Sequence, residues 1–201
     1  MKVEIDGETF DFHTDTLSTI LDCMEKTAKD GKEHGFLMCD TPKGIVPGEA
    51  CTGTECSIHL KDCHGKGSVI GGFHSHPNVI SFSLSDYFQG IRRAKQHPEH
   101  KHLLCVSLLN EGVRCKALKE IPSKGKLEKI LPFDCEASRE EVKPYFTKRV
   151  NISVEQIAKL LEGVPWKELP PAEPIIAIDE GGGPEIIKGG KAKQIKEVLG
   201  G

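Results

Sequence analysis

The sequence predicts an α/β (α+β) fold, a mixed β-sheet flanked by helices. Two observations carry this. Short segments with alternating or continuous apolar patterns take turns with segments whose apolar residues recur at helical spacing, in the order β-α-β-β-α-β-β. At 201 residues, 37% of them hydrophobic, the chain can bury a core without disulfides or a partner subunit.

The elements follow in order. Val3-Glu4-Ile5 and Thr9-Phe10-Asp11-Phe12 alternate about Asp6-Gly7, a hairpin signal. Leu17, Ile20, Leu21, Met24 and Ala28 recur at helical spacing, with Thr14, Asp15 or Thr16 placed to cap the helix and Gly31 to end it. Gly35-Phe36-Leu37-Met38-Cys39 reads as a buried strand. The turn Thr41-Pro42-Lys43-Gly44 leads to a less regular stretch, 46–64. Val69 to His74 reads as a strand whose Gly71 and Gly72 mark close approach of a backbone or a ligand. Leu84, Tyr87, Phe88, Ile91 and Ala94 mark a helix with Ser83 as N-cap and Asp86 at N3, stopping before Pro98. Leu103 to Leu109 and Val113 to Leu118, around Asn110-Glu111-Gly112, read as a second hairpin.

The remainder differs in character. A strand is expected over Leu127 to Phe133. Residues 138–149 are charged and read as helical, and Ser153 caps an amphipathic helix through Val154, Ile157, Ala158 and Leu161. Then come a proline-rich run, 164–174, a strand candidate from Ile175 to Ile178, the break Gly181-Gly182-Gly183 and a last helix over Lys191 to Leu199. The change places a boundary near residue 136, giving a domain of 1–136 and an accessory region of 137–201.

Composition narrows the function. The net charge of −3 points away from nucleic acid and polyphosphates. No apolar run approaches the ~18–20 residues that span a bilayer. Met1-Lys2-Val3-Glu4-Ile5-Asp6 carries acids at once and no signal-peptide stretch. The expectation is a cytoplasmic protein with neither nucleic-acid nor membrane partners. In such a chain, eight Cys and nine His point toward metal.

The informative segment is Gly71-Gly72-Phe73-His74-Ser75-His76-Pro77-Asn78, followed by Ser83-Leu84-Ser85-Asp86. Two His at i and i+2 on a strand face the same side of the pleat, so both imidazoles can reach one ion. Asp86, in the first turn of the next helix, is placed to fold back over the strand end. Two His and a carboxylate leave a fourth tetrahedral position for water, the arrangement of a catalytic zinc. Zinc lowers the pKa of that water to about 7. A carboxylate that is not a ligand is then needed to carry the proton.

His74-x-His76, Ser83-x-x-Asp86 and the upstream Glu33-His34-Gly35 together resemble the JAMM (JAB1/MPN/Mov34) metalloprotease family, over roughly residues 14–120. The resemblance implies a cytidine-deaminase-like core and a Zn2+ ion held by His74, His76 and Asp86. It also implies Glu33 as acid/base and Ser83 as a support for the oxyanion. It implies cleavage of peptide or isopeptide bonds after the tail of a ubiquitin-like or sulfur-carrier-like protein. The alternative it leaves is a non-catalytic scaffold of the same fold that binds ubiquitin-like or assembly partners. The loop from His76 to Ser83 is one residue shorter than the family pattern. Ser83 and Asp86 can also be read as a helix-capping pair, and Glu49 and Glu55 stand as substitutes for Glu33.

Other features have plainer readings. Cys51, Cys56, His59, Cys63 and His64 can be read as a second zinc site, as a disulfide or redox pair, or as ordinary thiols. Cys23, Cys39, Cys105 and Cys115 read as small core residues. Arg92, Arg93, Lys95, His97, His100, Lys101 and His102 read as a solvated helix end rather than a nucleic-acid patch. Gly200-Gly201 reads first as a frayed end; it also matches the tail such proteases cut after, with a dimer, tail-in-site self-association, or processing or conjugation of the chain as the sharper readings.

Overall fold

The computed structural model describes residues 1–77, 82–108, 112–130, 135–165 and 168. The first hairpin pairs β1 (Lys2–Ile5) with β2 (Glu8–Asp11). Asp6 and Gly7 both take positive φ, 54° and 78°, as a two-residue turn that matches strand twist requires. Helix α1 (Thr14–Asp30) follows. Its cap is His13, one position before the expected residues: Nδ1 of the ring accepts from Asp15 N at 3.2 Å. Gly31 closes the helix at φ 71°.

The main sheet is built from β3 (His34–Thr41), β4 (Gly44–Pro47), β5 (Cys51–Thr52), β6 (Ser68–His76), β7 (Leu103–Leu108), β8 (Val113–Ala117) and β9 (Val150–Ile152). Its order is β4-β3-β6-β7-β8-β9, with β5 also on β3. One pairing is parallel, β6 with β7, and the others are antiparallel. A parallel pair needs a crossover, and α2 (Leu84–Gln96) supplies it. The C-terminal end of β6 therefore meets the N-terminal end of α2. Crevices outside the carboxyl ends of strands are where open α/β sheets place their sites.

Both faces of the sheet are covered. Leu103 and Cys105 of β7 join Phe36, Phe73, Leu17 and Ile20 on the α1 side. Leu104 and Val106, alternating with them, join Tyr87, Ile91 and Phe146 on the α2 side. Burial on two faces explains the continuous apolar runs, which a one-sided sheet would not show.

The strand expected over Leu127 to Phe133 is corrected. Lys124–Ile130 is helix α3, and 131–134 lie outside the described residues. Leu127, Ile130 and Leu131 fall at i, i+3 and i+4, a helical period among lysines, and Leu127 is buried on the α2 side. The 136 boundary falls within α4 (Cys135–Val142). Beyond it, a 3₁₀ turn (Lys143–Tyr145), β9 and α5 (Val154–Leu161) follow. β9 pairs with β8, Ile152 and Ile157 enter the α1-side core, and a capping box of Ser153 and Gln156 starts α5 as expected. Residues 150–157 thus share a sheet and a core with the first 136. The strand candidate 175–178, the glycine break, the last helix and Gly200-Gly201 lie outside the described residues.

The four cysteines expected as small core residues are all buried, and three of them are also disulfide-bonded. Cys105 and Cys115 are direct cross-strand partners and form a disulfide, with Cα atoms 4.2 Å apart. Cys39 is bonded to Cys63. Cys23 remains a free buried thiol, and burial pushes it up to about 12. No helix among the described residues is long and apolar enough to cross a membrane.

Candidate metal centre

Strand pleating sets the first two groups. His74 and His76 project to one face of β6, while Ser75 between them turns to the other. There the Ser75 hydroxyl is buried against Thr27 Oγ1 and donates to the His34 carbonyl at 3.1 Å, tying β6 to α1 and β3. The His74 and His76 Nε2 atoms lie 2.7 Å apart, and their rings meet edge-on at 4.6 Å between centroids.

The third group comes from α2. Ser83 and Asp86 form a reciprocal capping box: Asp86 N donates to Ser83 Oγ at 3.2 Å, and Ser83 N donates to Asp86 Oδ2 at 2.6 Å. That bond turns the carboxylate toward the strand end. Oδ1 lies 3.0 Å from His74 Nε2, and Oδ2 lies 3.4 Å from His76 Nε2. Burial raises the Asp86 pKa, but the two histidines outweigh it by charge and hydrogen bonding. They hold the carboxyl well below the usual carboxylate range.

The fourth group comes from the segment leading into β3. Gly35 is registered with His74, so Glu33, two residues earlier, falls on the same face as the histidines. Backbone bonds fix its position: Glu33 N donates to Thr54 O at 2.7 Å, and Gly53 N donates to Glu33 O at 2.8 Å. Gly35 has to be bare. A Cβ there would sit 2.3 Å from the Phe73 carbonyl oxygen and 2.6 Å from His74 Cβ. The Glu33 carboxylate is buried and hydrogen-bonds to no described residue. Burial raises its pKa, with His74 and His76 opposing and Asp86 reinforcing.

The ligand atoms of Glu33, His74 and His76 all lie within 4.8 Å of one another, and this group could hold a metal ion. The buried donors are imidazole nitrogens and carboxylate oxygens, with no thiolate, a set that suits first-row divalent ions. Glu33, His74, Ser83 and Asp86 open onto a pocket of about 130 Å³, whose wall includes Ile58, Gln89 and Arg93. His76 sits deeper, 2% exposed.

All five residues singled out from the sequence are therefore brought together. Glu49 and Glu55 are exposed, and Glu49 pairs with Lys61. The cysteine cluster does not gather as a metal site among the described residues: Cys63 is committed to Cys39, Cys51 is half-buried and Cys56 is exposed at the pocket. The basic stretch after Ile91 is only partly a solvated helix end. His102 is buried, its ring bonded to the His97 carbonyl at 2.7 Å, and Arg93 turns into the pocket. Arg93 follows Asp86 by seven residues and Gln89 by four, a helical spacing that signals a shared face. A scan of the chain against protein-family models gives no match, and a search of curated proteins finds no similar sequence.

Proposed function

We propose that this chain is a zinc-dependent peptidase of the JAMM type. Its proposed reaction is cleavage of peptide or isopeptide bonds after the tail of a ubiquitin-like or sulfur-carrier-like protein. One observation carries the reading: Glu33 just before β3, His74 and His76 at the end of β6 and Asp86 in the first turn of α2 gather in one polar cluster, of which Glu33, His74 and Asp86 line a small pocket and His76 lies beneath.

The donor set fits zinc, with His74, His76 and Asp86 as the residues that would hold it. Asp86 is assigned as ligand because its carboxylate already touches both imidazoles and is fixed by Ser83 N. Glu33 is assigned as acid/base because no described residue hydrogen-bonds its carboxylate, leaving its oxygens to water and substrate. A bound zinc supplies Lewis acidity toward a carbonyl oxygen and toward water.

The chain's own residues do the rest. Glu33 accepts a proton from the attacking water and returns it to the departing amine. The Ser83 hydroxyl accepts from Asp86 N, which leaves its own proton to donate into the pocket toward a developing oxyanion. A pocket of about 130 Å³ suits glycine residues, whose backbone can approach without a side chain to house.

The test is metal analysis of the purified chain, joined to cleavage of Gly-Gly-terminated ubiquitin-like and sulfur-carrier fusions with and without a chelator. The expected result is about one zinc per chain and chelator-sensitive cleavage. Glu33→Gln should keep the metal and lose roughly 10²–10⁴-fold in rate. A chain that binds no metal overturns the reading. Bound zinc with no cleavage favours the scaffold alternative.

A further inference from the structure

Arg93 has no part in that chemistry. Its guanidinium lies over Gly72, where a Cβ would sit 2.9 Å from Nη1, so the bare glycine provides its seat. Burial draws its pKa down to about 10, against the opposing pull of Asp86. It makes no hydrogen bond or ion pair with a described residue. Arg93 is half-buried, and Asp86 and Glu33 of the same pocket act on it only at a distance, so a guanidinium with no direct ion pair to a described residue is left that a bound anion would satisfy. Its planar fork of donors matches a carboxylate in particular.

The space around it supplies the second observation. Ile58, Gln89 and Arg93 line the metal-centre pocket and also an adjoining groove of about 410 Å³. The two cavities thus share a wall, and the groove lies in the range of ligand-binding clefts, about 300–1,000 Å³. The groove sets aliphatic Leu37, Leu60 and Val69 beside the cations Lys61, Arg92 and Arg93, with Asp62 the one carboxylate among its lining residues; Lys61 is paired with Glu49 at the rim, so the positive charge is carried chiefly by Arg92 and Arg93. Aliphatic surface beside excess positive charge matches an extended polypeptide carrying acidic side chains. A nucleic acid would call for aromatic stacking surfaces, and this lining holds no Phe, Tyr or Trp.

We propose that this groove is a subsite for an acidic stretch of the polypeptide substrate, with Arg93 binding a carboxylate next to the scissile bond. The inference rests on the peptidase reading and names a substrate feature for it.

The test uses fluorescein-labelled hexapeptide libraries with either Glu or Gln fixed at each position in turn. Binding to the full-length Glu33→Gln chain is read by anisotropy, and cleavage by the zinc-loaded wild type is read separately. The expected result is that Glu at one position binds about tenfold more tightly than Gln. Arg93→Gln should reduce that preference below about twofold, and Arg93→Lys should retain part of it. Lys61→Glu and Arg92→Glu, at exposed positions, should weaken it without affecting the fold. Equal binding of Glu and Gln libraries, an unchanged preference in Arg93→Gln, or displacement by an equal concentration of inorganic phosphate would overturn the subsite. Cleavage without a Glu preference also overturns the subsite while leaving the peptidase reading intact. Binding of the Glu libraries with cleavage neither of the peptides nor of the Gly-Gly-terminated fusions overturns the peptidase reading instead.

Discussion

Asp86 Oδ2 accepts a 2.6 Å hydrogen bond from Ser83 N while the same carboxylate touches both His74 and His76. One residue therefore caps a helix and completes a polar cluster. Ser83→Ala removes the hydroxyl that accepts from Asp86 N and should cost about 1 kcal/mol of stability, read by thermal unfolding. It should also weaken zinc affinity by about tenfold, as loss of outer-shell support does. Ser83→Asn should restore the stability, because Asn caps as well, yet leave cleavage impaired for want of the hydroxyl. Full activity in Ser83→Asn would remove Ser83 from the proposed chemistry.

Glycine replacements separate packing from chain entropy. Gly35→Ala forces a methyl into the Phe73 carbonyl and His74, so it should destabilise by at least about 1–3 kcal/mol and displace a proposed zinc ligand. Gly125, inside α3, has nothing within 4 Å of a built Cβ, and Gly125→Ala should stabilise by about 0.5–1 kcal/mol. Denaturant midpoints of the two variants should move in opposite directions.

Removing the metal should cost stability as well as activity. An ion bound at a thousand times its dissociation constant contributes about 4 kcal/mol, on the order of 10 °C for a chain of this length. Chelation should lower the midpoint accordingly, and added zinc should restore it. His74→Ala should be indifferent to both treatments. A midpoint that chelation does not move would show that the native fold holds no such ion.

Thiol chemistry tests the disulfide pattern. Among Cys23, Cys51 and Cys56, alkylation of the native chain without reductant should mark Cys56 first and Cys51 next, sparing Cys23. Denaturant should add Cys23, whose thiol is pushed up to about 12 by burial. Only reductant should expose Cys39, Cys63, Cys105 and Cys115. Peptide mapping by mass spectrometry reads each step. Disulfides are rare in reducing cytosol, so recovery of both pairings from native protein would weigh against the cytoplasmic expectation.

Local signals account for most of what was legible in the sequence. Asp6-Gly7, Gly31, Ser83 and Ser153 mark turns and caps through their own backbone and side-chain chemistry, and each marks the end expected of it. The candidate site was legible because His74-x-His76 carries its geometry in the strand period, and Ser83-x-x-Asp86 in the first helical turn. What escaped depends on contacts distant in sequence. Cys39 meets Cys63 through a loop of 24 residues. Gly35 must be bare only because β6 pairs beside it. Arg93 looked solvated among its charged neighbours, although its spacing from Asp86 and Gln89 pointed inward. The strand expected from Leu127 is helix α3 instead, and the spacing of three and four between Leu127, Ile130 and Leu131 is the sequence signal for it.

The parallel pairing of β6 with β7 has a consequence for when the centre exists. Glu33 stands 41 positions ahead of His74 in the chain, and the crossover through α2 must return along the sheet before Asp86 is held over the strand end. No contiguous fragment shorter than residues 33–86 contains the whole constellation. If this chain is a peptidase, it is inert while it emerges from the ribosome. It gains the ability to cut only once its central strands have zipped together, so folding itself serves as the safety catch.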